Sequence, residues 1–314
     1  MIELRPANAS HTRPARQHHR TVTCENTPVL TTAPATHAST SAAQFTLIGG
    51  PTMLISVGGL NLLTDPTFDP PGAHPVAGRL LNKVTGPAIA LDDLPPIDAV
   101  LLSHEQHPDN LDDLGRALLN RVPVVYTTEQ SATRLGDNAI GMTPWRGAHV
   151  TNAVADALKI TAVPAHHGPE DTEHLTGHVI GFVLTSAGLP TIYVSGDNAS
   201  LRVVREVAHH AGPIDVAVVF GGRARSPLMD AYLTLDGNEV FEASRILGAR
   251  TAIPAHLDGW DLLTQGDEAV RQAFEAGAPE SEPRLVLLEP GEQVSVGGDG
   301  QVISGSRRPA RWDT

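Results

Sequence analysis

Cysteine and aromatic residues are scarce in this chain. A single cysteine, Cys24, occurs among 314 residues, which excludes an intrachain disulfide and a metal site built from several thiolates. Phe, Trp and Tyr make up only 4% of the residues, so the core must be built from Val, Leu, Ile and Ala. The hydrophobic fraction of 41% is ordinary for a globular protein and is enough for a sizeable core.

Positive charge and long apolar runs are also lacking. The chain has 22 Lys and Arg against 35 Asp and Glu, a formal net charge of −13, and no basic run that could follow a phosphate backbone. We therefore expect no nucleic-acid partner. No apolar run reaches membrane-spanning length, and the first residues contain no apolar signal-peptide segment, so we predict a cytoplasmic protein without a membrane span. The sequence leaves open whether the protein forms a homo-oligomer.

Composition divides the chain into three parts. Residues 1–43 mix Thr, Ala, Pro, His and Arg without a sustained apolar period. They are predicted to be a disordered tail, because they cannot bury enough surface to offset the entropy of ordering. Residues 44–300 are predicted to fold as one domain, and residues 301–314 to be a flexible C-terminal tail.

Apolar runs and helical spacing predict an α/β domain. Three runs separated by turns that contain Gly predict the first strands: "FTLIGG", "TMLISVGG" and "LNLLTDP". A loop rich in Pro and Gly follows at residues 66–96. Later strands alternate with helices, which are predicted at residues 201–210, 237–247 and 268–276. This order predicts two sheets flanked by helices.

Four predicted strands end in His or Asp. Their last residues are Ser103-His104, Ala165-His166-His167, Gly196-Asp197 and Ala255-His256. Because loops at strand ends present side chains held by a rigid sheet, we expect these residues to converge. A single His at such a place is usually only hydrogen-bonded, but four strand ends together predict a metal site. Imidazole and carboxylate ligands suit zinc, and also manganese or iron.

The segment "SHEQHPDNLD" is the richest cluster of potential ligands. Within nine residues it contains His104, His107, Asp109, Asn110 and Asp112. A proline inside the cluster argues against a helix there, so we expect a turn that directs these side chains towards one point. The alternative is the solvated start of a helix, with Asn110 or Asp109 as its N-cap.

The order of these motifs resembles the metallo-β-lactamase superfamily, in the branch that includes L-ascorbate-6-phosphate lactonase and N-acyl-phosphatidylethanolamine phospholipase D relatives. The resemblance covers residues 45–291. It is carried by "LLTDP", by "SHEQHPDNLD" as the His-x-His-x-Asp-His loop, and by "VPAHHG", "YVSGDN" and "IPAHLDGW". It implies a four-layer αββα sandwich, with two mixed β-sheets flanked by helices, and a hydrolase domain over residues 44–300.

The first metal loop departs from the family pattern by one extra residue. We place the extra residue at Glu105 or Gln106, which puts His107 at the second His position and Asp109 at the Asp position. A gapless alignment would make Gln106 the second ligand, but it would place a proline where the Asp belongs. Asn110 occupies the position of the final His of the loop.

The resemblance implies two metal ions. The first would be bound by His104, His107 and His167, with Asp197 bridging to the second, which would be bound by Asp109, Asp197 and His256. Asn110 would be a weak carbonyl ligand or no ligand. His167 fits the family spacing better than His166, and strand alternation lets only one of the two bind. Zinc is the expected ion, with manganese or iron as options, and the second site is expected to bind more weakly or to prefer a harder ion.

The resemblance also implies hydrolysis by a metal-bound hydroxide, because two ions lower the pKa of a shared water to about 7. The expected substrate is a small, anionic ester, lactone or phosphodiester, and Asp109 is the expected catalytic residue that orients the water. Pocket walls are expected from residues 66–96 and 223–235. The alternative is a catalytically weakened metal-binding module used for binding or regulation. A di-iron oxidoreductase is disfavoured because no flavin-binding domain accompanies the site.

Five other residues are given supporting roles. Asp65 and Asp112 are expected to bond the outer nitrogens of ligand histidines, or else to have a purely structural role. Arg223 and Arg225 are candidates for binding an anionic substrate, with surface salt bridges as the alternative. Trp260 is expected either to line the pocket or to be a core aromatic.

Overall fold

Two large sheets dominate the computed structural model of the chain. It describes residues 30–32, 41–76, 78–152, 157–226, 228–277 and 283–307. Within these residues the strands form two eight-stranded sheets and a separate two-stranded hairpin.

The first sheet comes mainly from the second half of the chain. From edge to edge its strands are β1 (Leu30–Thr32), β10 (Gly147–Asn152), β11 (Leu158–Pro164), β12 (Ile180–Thr185), β13 (Ile192–Val194), β14 (Val216–Phe220), β15 (Thr251–Ala255) and β16 (Arg284–Leu285). Neighbouring strands from β10 to β13 are antiparallel, whereas those from β13 to β16 are parallel. The sheet is therefore mixed.

The second sheet comes mainly from the first half of the chain. Its strands are β18 (Val302–Arg307), β17 (Gln293–Gly297), β2 (Ala42–Gly49), β3 (Thr52–Val57), β4 (Leu60–Thr64), β7 (Ala99–Leu101), β8 (Val125–Thr128) and β9 (Ala139–Met142). Pairing is antiparallel from β18 to β4 and parallel from β4 to β9. A separate hairpin joins β5 (Gly72–Val76) to β6 (Arg79–Lys83).

Four of the helices begin where a polar side chain accepts from an amide of the first turn. The helices are α1 (Asp113–Leu119), α2 (Glu129–Leu135), α3 (Glu173–Thr176), α4 (Leu201–Ala211), α5 (Gly237–Ile246) and α6 (Asp267–Gly277), with a short 3-10 helix at Leu91–Asp93. The caps of α1, α2, α4 and α5 are Asp112, Thr128, Ser200 and Asp236.

Strand alternation sorts the apolar side chains into three cores. In β14, Val218 packs between the two sheets, while its neighbour Val219 packs with side chains of α4, α5 and α6. In β4, Leu62 joins the core between the sheets, and Leu63 packs with side chains of α1 such as Leu118. The layers are therefore helix, sheet, sheet and helix, which confirms the predicted four-layer fold.

The strands that precede the predicted ligands have their carboxyl ends on the same side of each sheet. β4, β7 and β8 are parallel, and β11 runs in the same direction as β13, β14 and β15 because two antiparallel pairings separate β11 from β13. The edges of the two sheets meet there, since the amide of Ile180 donates to the carbonyl of Ser103 at 3.2 Å and the amide of His256 donates to the carbonyl of Gly50 at 2.8 Å. This meeting line is where the site lies.

Several boundaries differ from the sequence prediction. The hairpin of β5 and β6 lies in the segment predicted as a loop, residues 66–96, and is fixed by distant partners such as Asp261, which binds Asn82. β1 and the start of β2 fall in the segment predicted as a disordered tail, 1–43, most of which lies outside the described residues. β18 pairs with β17 inside the segment predicted as flexible, 301–314. Local composition does not predict pairing between segments that lie far apart in the sequence.

Helix length bears on the predicted absence of a membrane span. Among the helices of the described residues, none is both long enough and apolar enough to cross a bilayer.

Candidate metal centre

Six side chains that can ligate a metal lie together where the edges of the two sheets meet. His104, His107 and His167 form one set, called here the imidazole group, and Asp109, Asp197 and His256 form the other, called here the carboxylate group. Within each group the potential ligand atoms lie within 4.8 Å of one another. These are the two sets that the family resemblance implied.

Three ring nitrogens face one another in the imidazole group. Nδ1 of His107 lies 2.8 Å from Nε2 of His104 and 3.2 Å from Nε2 of His167. A cation can accept all three lone pairs, whereas one proton can serve only two. The adjacent His166 belongs to neither group, and its Nδ1 lies 3.9 Å from a carboxylate oxygen of Glu173.

Hydrogen bonds fix the outer nitrogens of two of these histidines. Nδ1 of His167 lies 3.0 Å from the carbonyl oxygen of Leu233, which only accepts, so Nδ1 carries the proton. The hydroxyl of Ser103 donates to Asp65 at 2.7 Å and therefore accepts from Nδ1 of His104 at 3.0 Å. Both Nε2 atoms are left unprotonated, the form that binds metals. Asp65 thus acts on His104 through Ser103 and not by direct contact.

In the carboxylate group, His256 lies between two buried carboxylates. Its Nε2 is 3.4 Å from Oδ2 of Asp109 and its Nδ1 is 3.2 Å from Oδ1 of Asp197. Among the described residues, neither ring nitrogen has a hydrogen bond of good geometry, and Oδ2 of Asp197 has none either. Buried polar atoms rarely lack partners, and a metal ion would supply one to each carboxylate and to one ring nitrogen. Asp197 Oδ2 also lies 3.6 Å from Nδ1 of His167, so this residue adjoins both groups.

Burial and charge give the two groups opposite electrostatic character. Burial lowers the pKa of His104 well below its ordinary value and lowers the pKa of His167 to about 4, so both rings are neutral. Burial also acts to lower the pKa of His256, but Asp197 and Asp109 outweigh it and raise that pKa to about 10. For Asp197, burial acts to raise the pKa, but the charge of His256 outweighs it and holds the pKa below its ordinary value. The carboxylate group therefore favours a positive charge.

The backbone is unusual at several points of the site. His256 has φ of +58° and Asp65 has φ of +27°, a region that non-glycine residues rarely adopt and that is concentrated at functional sites. Gly196, which precedes Asp197, also has φ of +58°, and a Cβ there would lie 2.8 Å from the Cβ of Ser103. Glycine therefore allows Asp197 of the first sheet to approach the second sheet.

Glu105 accommodates the extra residue of the first loop. Its buried carboxylate pairs with Arg116 of α1 at 2.7 Å and also with Arg134 of α2. Burial raises the pKa of Glu105, but these arginines outweigh it and hold that pKa below its ordinary value. The side-chain oxygen of Gln106 accepts from the amide of Glu105 at 3.0 Å. This geometry favours the alignment with an insertion, in which His107 is the second His, over the gapless one.

Asn110 faces the site with its amide nitrogen. Its Nδ2 donates to Asp65 at 3.2 Å and to Asp197 at 3.1 Å, while its buried Oδ1 has no partner among the described residues. Reversing the amide would place its oxygen against two carboxylates, which is electrostatically unfavourable. Because the amide nitrogen, which cannot bind a metal, faces Asp197, the geometry favours the option in which Asn110 is no ligand.

Asp112 takes the structural role that was the alternative in its prediction. Its carboxylate accepts from the amide of Gly115, which caps α1, from the amides of Phe68 and Asp69, and from the ammonium of Lys83. The pair with Lys83 is buried, with 2.8 Å between nitrogen and oxygen. With these four donors, Asp112 holds residues 68–69 on α1 and orients no ligand histidine.

Trp260 is a core aromatic and not a pocket residue. Its side chain is 3% exposed, its ring centroid lies 5.1 Å from that of His74, and the ammonium of Lys83 lies 5.5 Å from its ring. This is the second of the two roles expected from the sequence.

An open cleft lies against the two groups, and the space between its lining residues is about 460 Å³ when the solvent at its mouth is included. Three members of the ligand groups line it, His107, Asp109 and His167, and they are called here the floor. The other lining residues are Val76, Leu81, Pro108, Leu175, Thr176, Ser226, Leu228, Leu233 and Leu262. Residues 66–96 and 223–235, the two segments expected to form the walls, both contribute.

Neither predicted substrate-binding arginine lines this cleft. The guanidinium of Arg223 stacks on Tyr232 at 4.1 Å from the ring centroid, and that of Arg225 pairs with the exposed Asp230 at 3.2 Å. The surface salt bridge that was the alternative for Arg225 is the role the structure favours. Proximity to a strand end does not fix where a long side chain points, and substrate binding by either arginine stays a prediction.

Sequence reasoning missed the groups that orient the histidines. Ser103 was used only to align the loop, although a hydroxyl next to a ligand His is a usable signal. The carbonyl of Leu233 is a backbone atom, and no residue type marks it. Its role depends on the tertiary contact between the loop after β14 and His167.

The sequence profile described as "Beta-lactamase superfamily domain" matches residues 60–257, which include all six ligand candidates. A metal-dependent hydrolase of Pyrococcus furiosus is 26% identical over 206 residues, which are 65% of this chain and 84% of that protein. The profile begins at the first residue of β4 and ends one residue after His256.

Solved structures share the fold. An isothiocyanate hydrolase from gut bacteria of Delia radicum superposes with a TM-score of 0.66 at 20% identity, over 80% of this chain and 98% of the other. A metallo hydrolase of Ignicoccus hospitalis superposes with a TM-score of 0.59 at 19% identity, over 81% and 98% of the two chains. At these identities the likeness is one of fold.

This chain belongs to the beta-lactamase superfamily, because the family profile covers more than half of it. The predicted superfamily, the metallo-β-lactamase fold and the hydrolase class are confirmed. The branch within the family, the two ions, their identity, the roles of the individual site residues and the cytoplasmic location stay predictions.

Proposed function

We propose that this protein is a metal-dependent hydrolase that cleaves an ester, lactone or phosphodiester bond of a small molecule with two divalent cations, one in each ligand group. The observation that carries the proposal is the opening of both groups onto one cleft. His107 and His167 of the imidazole group and Asp109 of the carboxylate group form its floor. A catalytic metal site needs such an open face, because substrate and water must reach the ion.

The donor sets fit metal ions. The imidazole group offers Nε2 of His104 and of His167 without protons, because hydrogen bonds hold the proton of each ring on Nδ1. The carboxylate group has buried ligand atoms with no partner among the described residues. We propose zinc for the imidazole group, and zinc or a harder ion such as manganese or iron for the carboxylate group. Two bound ions would lower the pKa of a shared water to about 7 and polarise the bond that is cleaved.

The residues of the chain supply position and proton transfer. Asp109 is the proposed catalytic residue, since it belongs to the carboxylate group and also lies at the floor of the cleft. We infer that its carboxylate orients the attacking water and accepts the proton of that water. Asp197 lies within 3.6 Å of His167 and 3.2 Å of His256, so we propose it as the residue that holds the two groups together.

A second candidate function follows from Asn110. Its side chain donates hydrogen bonds to Asp65 and Asp197 and adds no ligand to the carboxylate group. With one ligand fewer than the family pattern implies, this group would bind its ion weakly. The protein would then be a metal-binding module for binding or regulation, and the metal content of the purified protein separates the two functions.

The test is elemental analysis of the purified full chain, alone and with both His167→Ala and Asp197→Ala. About two equivalents of metal in the natural protein and a loss in the double variant are expected for a two-ion hydrolase. Chelation should abolish hydrolysis of a panel of neutral esters, lactones and bis(4-nitrophenyl) phosphate, and zinc or manganese should restore it.

Two other outcomes are informative. About one equivalent, retained when Asp109 is replaced by Ala, would leave only the imidazole group as a site and favour the binding module. No bound metal after incubation with zinc and with manganese would overturn the hydrolase proposal.

A further inference from the structure

We propose that the cleft selects an uncharged substrate with a hydrocarbon chain, and not the anionic substrate expected from the sequence. This inference rests on the proposed function, because the ligand groups form the floor of the cleft. It assigns the substrate class as a neutral ester or lactone, since a phosphodiester carries a negative charge.

Aliphatic side chains from four parts of the chain line the walls of the cleft. Val76 and Leu81 come from the hairpin of β5 and β6, Leu175 from α3, and Leu228 and Leu262 from the loops after β14 and β15. Among the described residues that line the cleft, none is Lys or Arg, and Asp109 is the only one with a carboxylate. Such walls favour the binding of a hydrocarbon group, because burial of apolar surface is the main source of binding free energy that they offer.

Three cations of the surrounding elements already have partners within the protein. Arg225 binds Asp230 at 3.2 Å, and Lys83 binds the buried Asp112 at 2.8 Å. The guanidinium of Arg223 lies over the ring of Tyr232. An anionic group held against the walls, away from the floor, would lose its hydration without gaining a counter-charge there, which is costly.

The two polar side chains in the walls are also engaged within the protein. The hydroxyl of Ser226 accepts from the amides of Leu228 and Met229 at 3.1 and 3.2 Å. The hydroxyl of Thr176 donates to the carbonyl of Thr172 at 3.2 Å. The directed polar contacts are thus at the floor, where the bond is cleaved, and the walls recognise an apolar group.

Large apolar side chains of the walls are also exposed to solvent. Leu175 is 43% exposed and Leu228 is 37% exposed, and both line the cleft. Neighbouring apolar side chains exposed beside a pocket are typical of a ligand-binding surface. A hydrocarbon chain of the substrate would cover them.

The first test compares substrates on the zinc-loaded full chain. With 4-nitrophenyl butanoate, hexanoate and octanoate, kcat/KM should rise about threefold to fourfold per methylene, the factor that corresponds to about 0.8 kcal/mol per buried CH₂. The mono-4-nitrophenyl ester of adipic acid has the chain length of the hexanoate but ends in a carboxylate, and it should react at least about tenfold more slowly.

A binding measurement separates this inference from the proposed function. Hexanamide and the monoamide of adipic acid differ only in the terminal carboxylate, and their binding can be measured without hydrolysis. Ligand-observed NMR on metal-free and zinc-loaded protein should show tighter binding of hexanamide. Equal or tighter binding of the anionic amide to metal-free protein would overturn the inference. Absence of metal and of hydrolysis would overturn only the proposed function, because hexanamide binding would still report the preference of the cleft.

Wall variants locate the effect. Leu228→Asn and Leu175→Asn should reduce the dependence of kcat/KM on chain length without changing the metal content. Leu114→Asn is the matched control, because Leu114 is 41% exposed on α1 and does not line the cleft. An unchanged chain-length dependence in both wall variants, or faster reaction of bis(4-nitrophenyl) phosphate than of every neutral ester, would overturn the inference.

Discussion

The imidazole group and the carboxylate group lie side by side but are built in opposite ways. Neutral His104 and His167 present lone pairs, and burial keeps the pKa of each ring low. In the carboxylate group, two acidic side chains raise the pKa of His256 to about 10 and make the local field negative. The first group selects an ion by ligand type, whereas the second attracts positive charge of any kind.

The two groups are nevertheless coupled through one residue. Asp197 adjoins His167 on one side and His256 on the other, and it also accepts from Asn110. Substitutions that affect one group, both groups or neither can therefore separate the properties of each.

The largest effect is expected from Asp197→Ala. Because Asp197 contacts both groups, zinc affinity should fall by more than about 100-fold at each, more than the loss of a residue that merely orients a ligand. Zinc titration followed by calorimetry measures both steps. Asp215→Ala is the control, since Asp215 precedes β14 at the opposite end of the strand and binds the amide of Thr191. Loss of only one step would show that Asp197 does not bridge.

Selective losses are expected from His167→Ala and His256→Ala. The first should weaken zinc at the imidazole group by about 100-fold and leave the carboxylate group able to bind, and the second should do the reverse. Cobalt substitution provides an optical readout that differs between a site with three nitrogens and one rich in oxygen. If either variant loses both ions, the groups form one cooperative site and the comparison fails.

A smaller and one-sided effect is expected from Ser103→Ala. The hydroxyl holds Nδ1 of His104 at 3.0 Å and is itself bound to Asp65, so its loss should weaken the imidazole group by about 10- to 100-fold. The carboxylate group should be unaffected. Ser56→Ala is the matched control, because that hydroxyl bonds Asn61 on the neighbouring strand. Equal losses in both groups would mean that Ser103 serves the fold and not one ligand.

The ligand candidates could be predicted because each motif follows directly on an apolar strand. His104, Asp197 and His256 come one to three residues after β7, β13 and β15, and parallel strands bring their ends to one edge. Strand order alone places Asp197 and His256 together, whereas His104 follows a strand of the other sheet and reaches them through the contact between the sheets. The same rule found the fold, since apolar runs and helical spacing follow from burial.

Other roles depend on contacts that sequence spacing does not show. Asp112 accepts from the amides of residues 68–69 and from Lys83, which lie far from it in sequence. Leu175 and Leu228 have the residue type of core positions, yet they line a cleft. Arg223 and Arg225 were candidates for binding an anionic substrate because they follow a strand, but their side chains contact Tyr232 and Asp230.

The smallest effect, and the only gain, is expected from Asn110→His. The amide nitrogen lies 3.1 Å from Asp197 and adds no ligand, whereas an imidazole there would offer one to the carboxylate group. Zinc affinity of that group should rise by about tenfold, or about 1.4 kcal/mol, with no change at the imidazole group. Asn110→Ala is the control, because it removes the hydrogen bonds to Asp65 and Asp197 without supplying a ligand, and it should give no gain. Thermal unfolding of both variants checks that the buried position tolerates the change. If the His and Ala variants bind zinc alike, residue 110 only positions the two carboxylates, and the weakness of the carboxylate group has another cause.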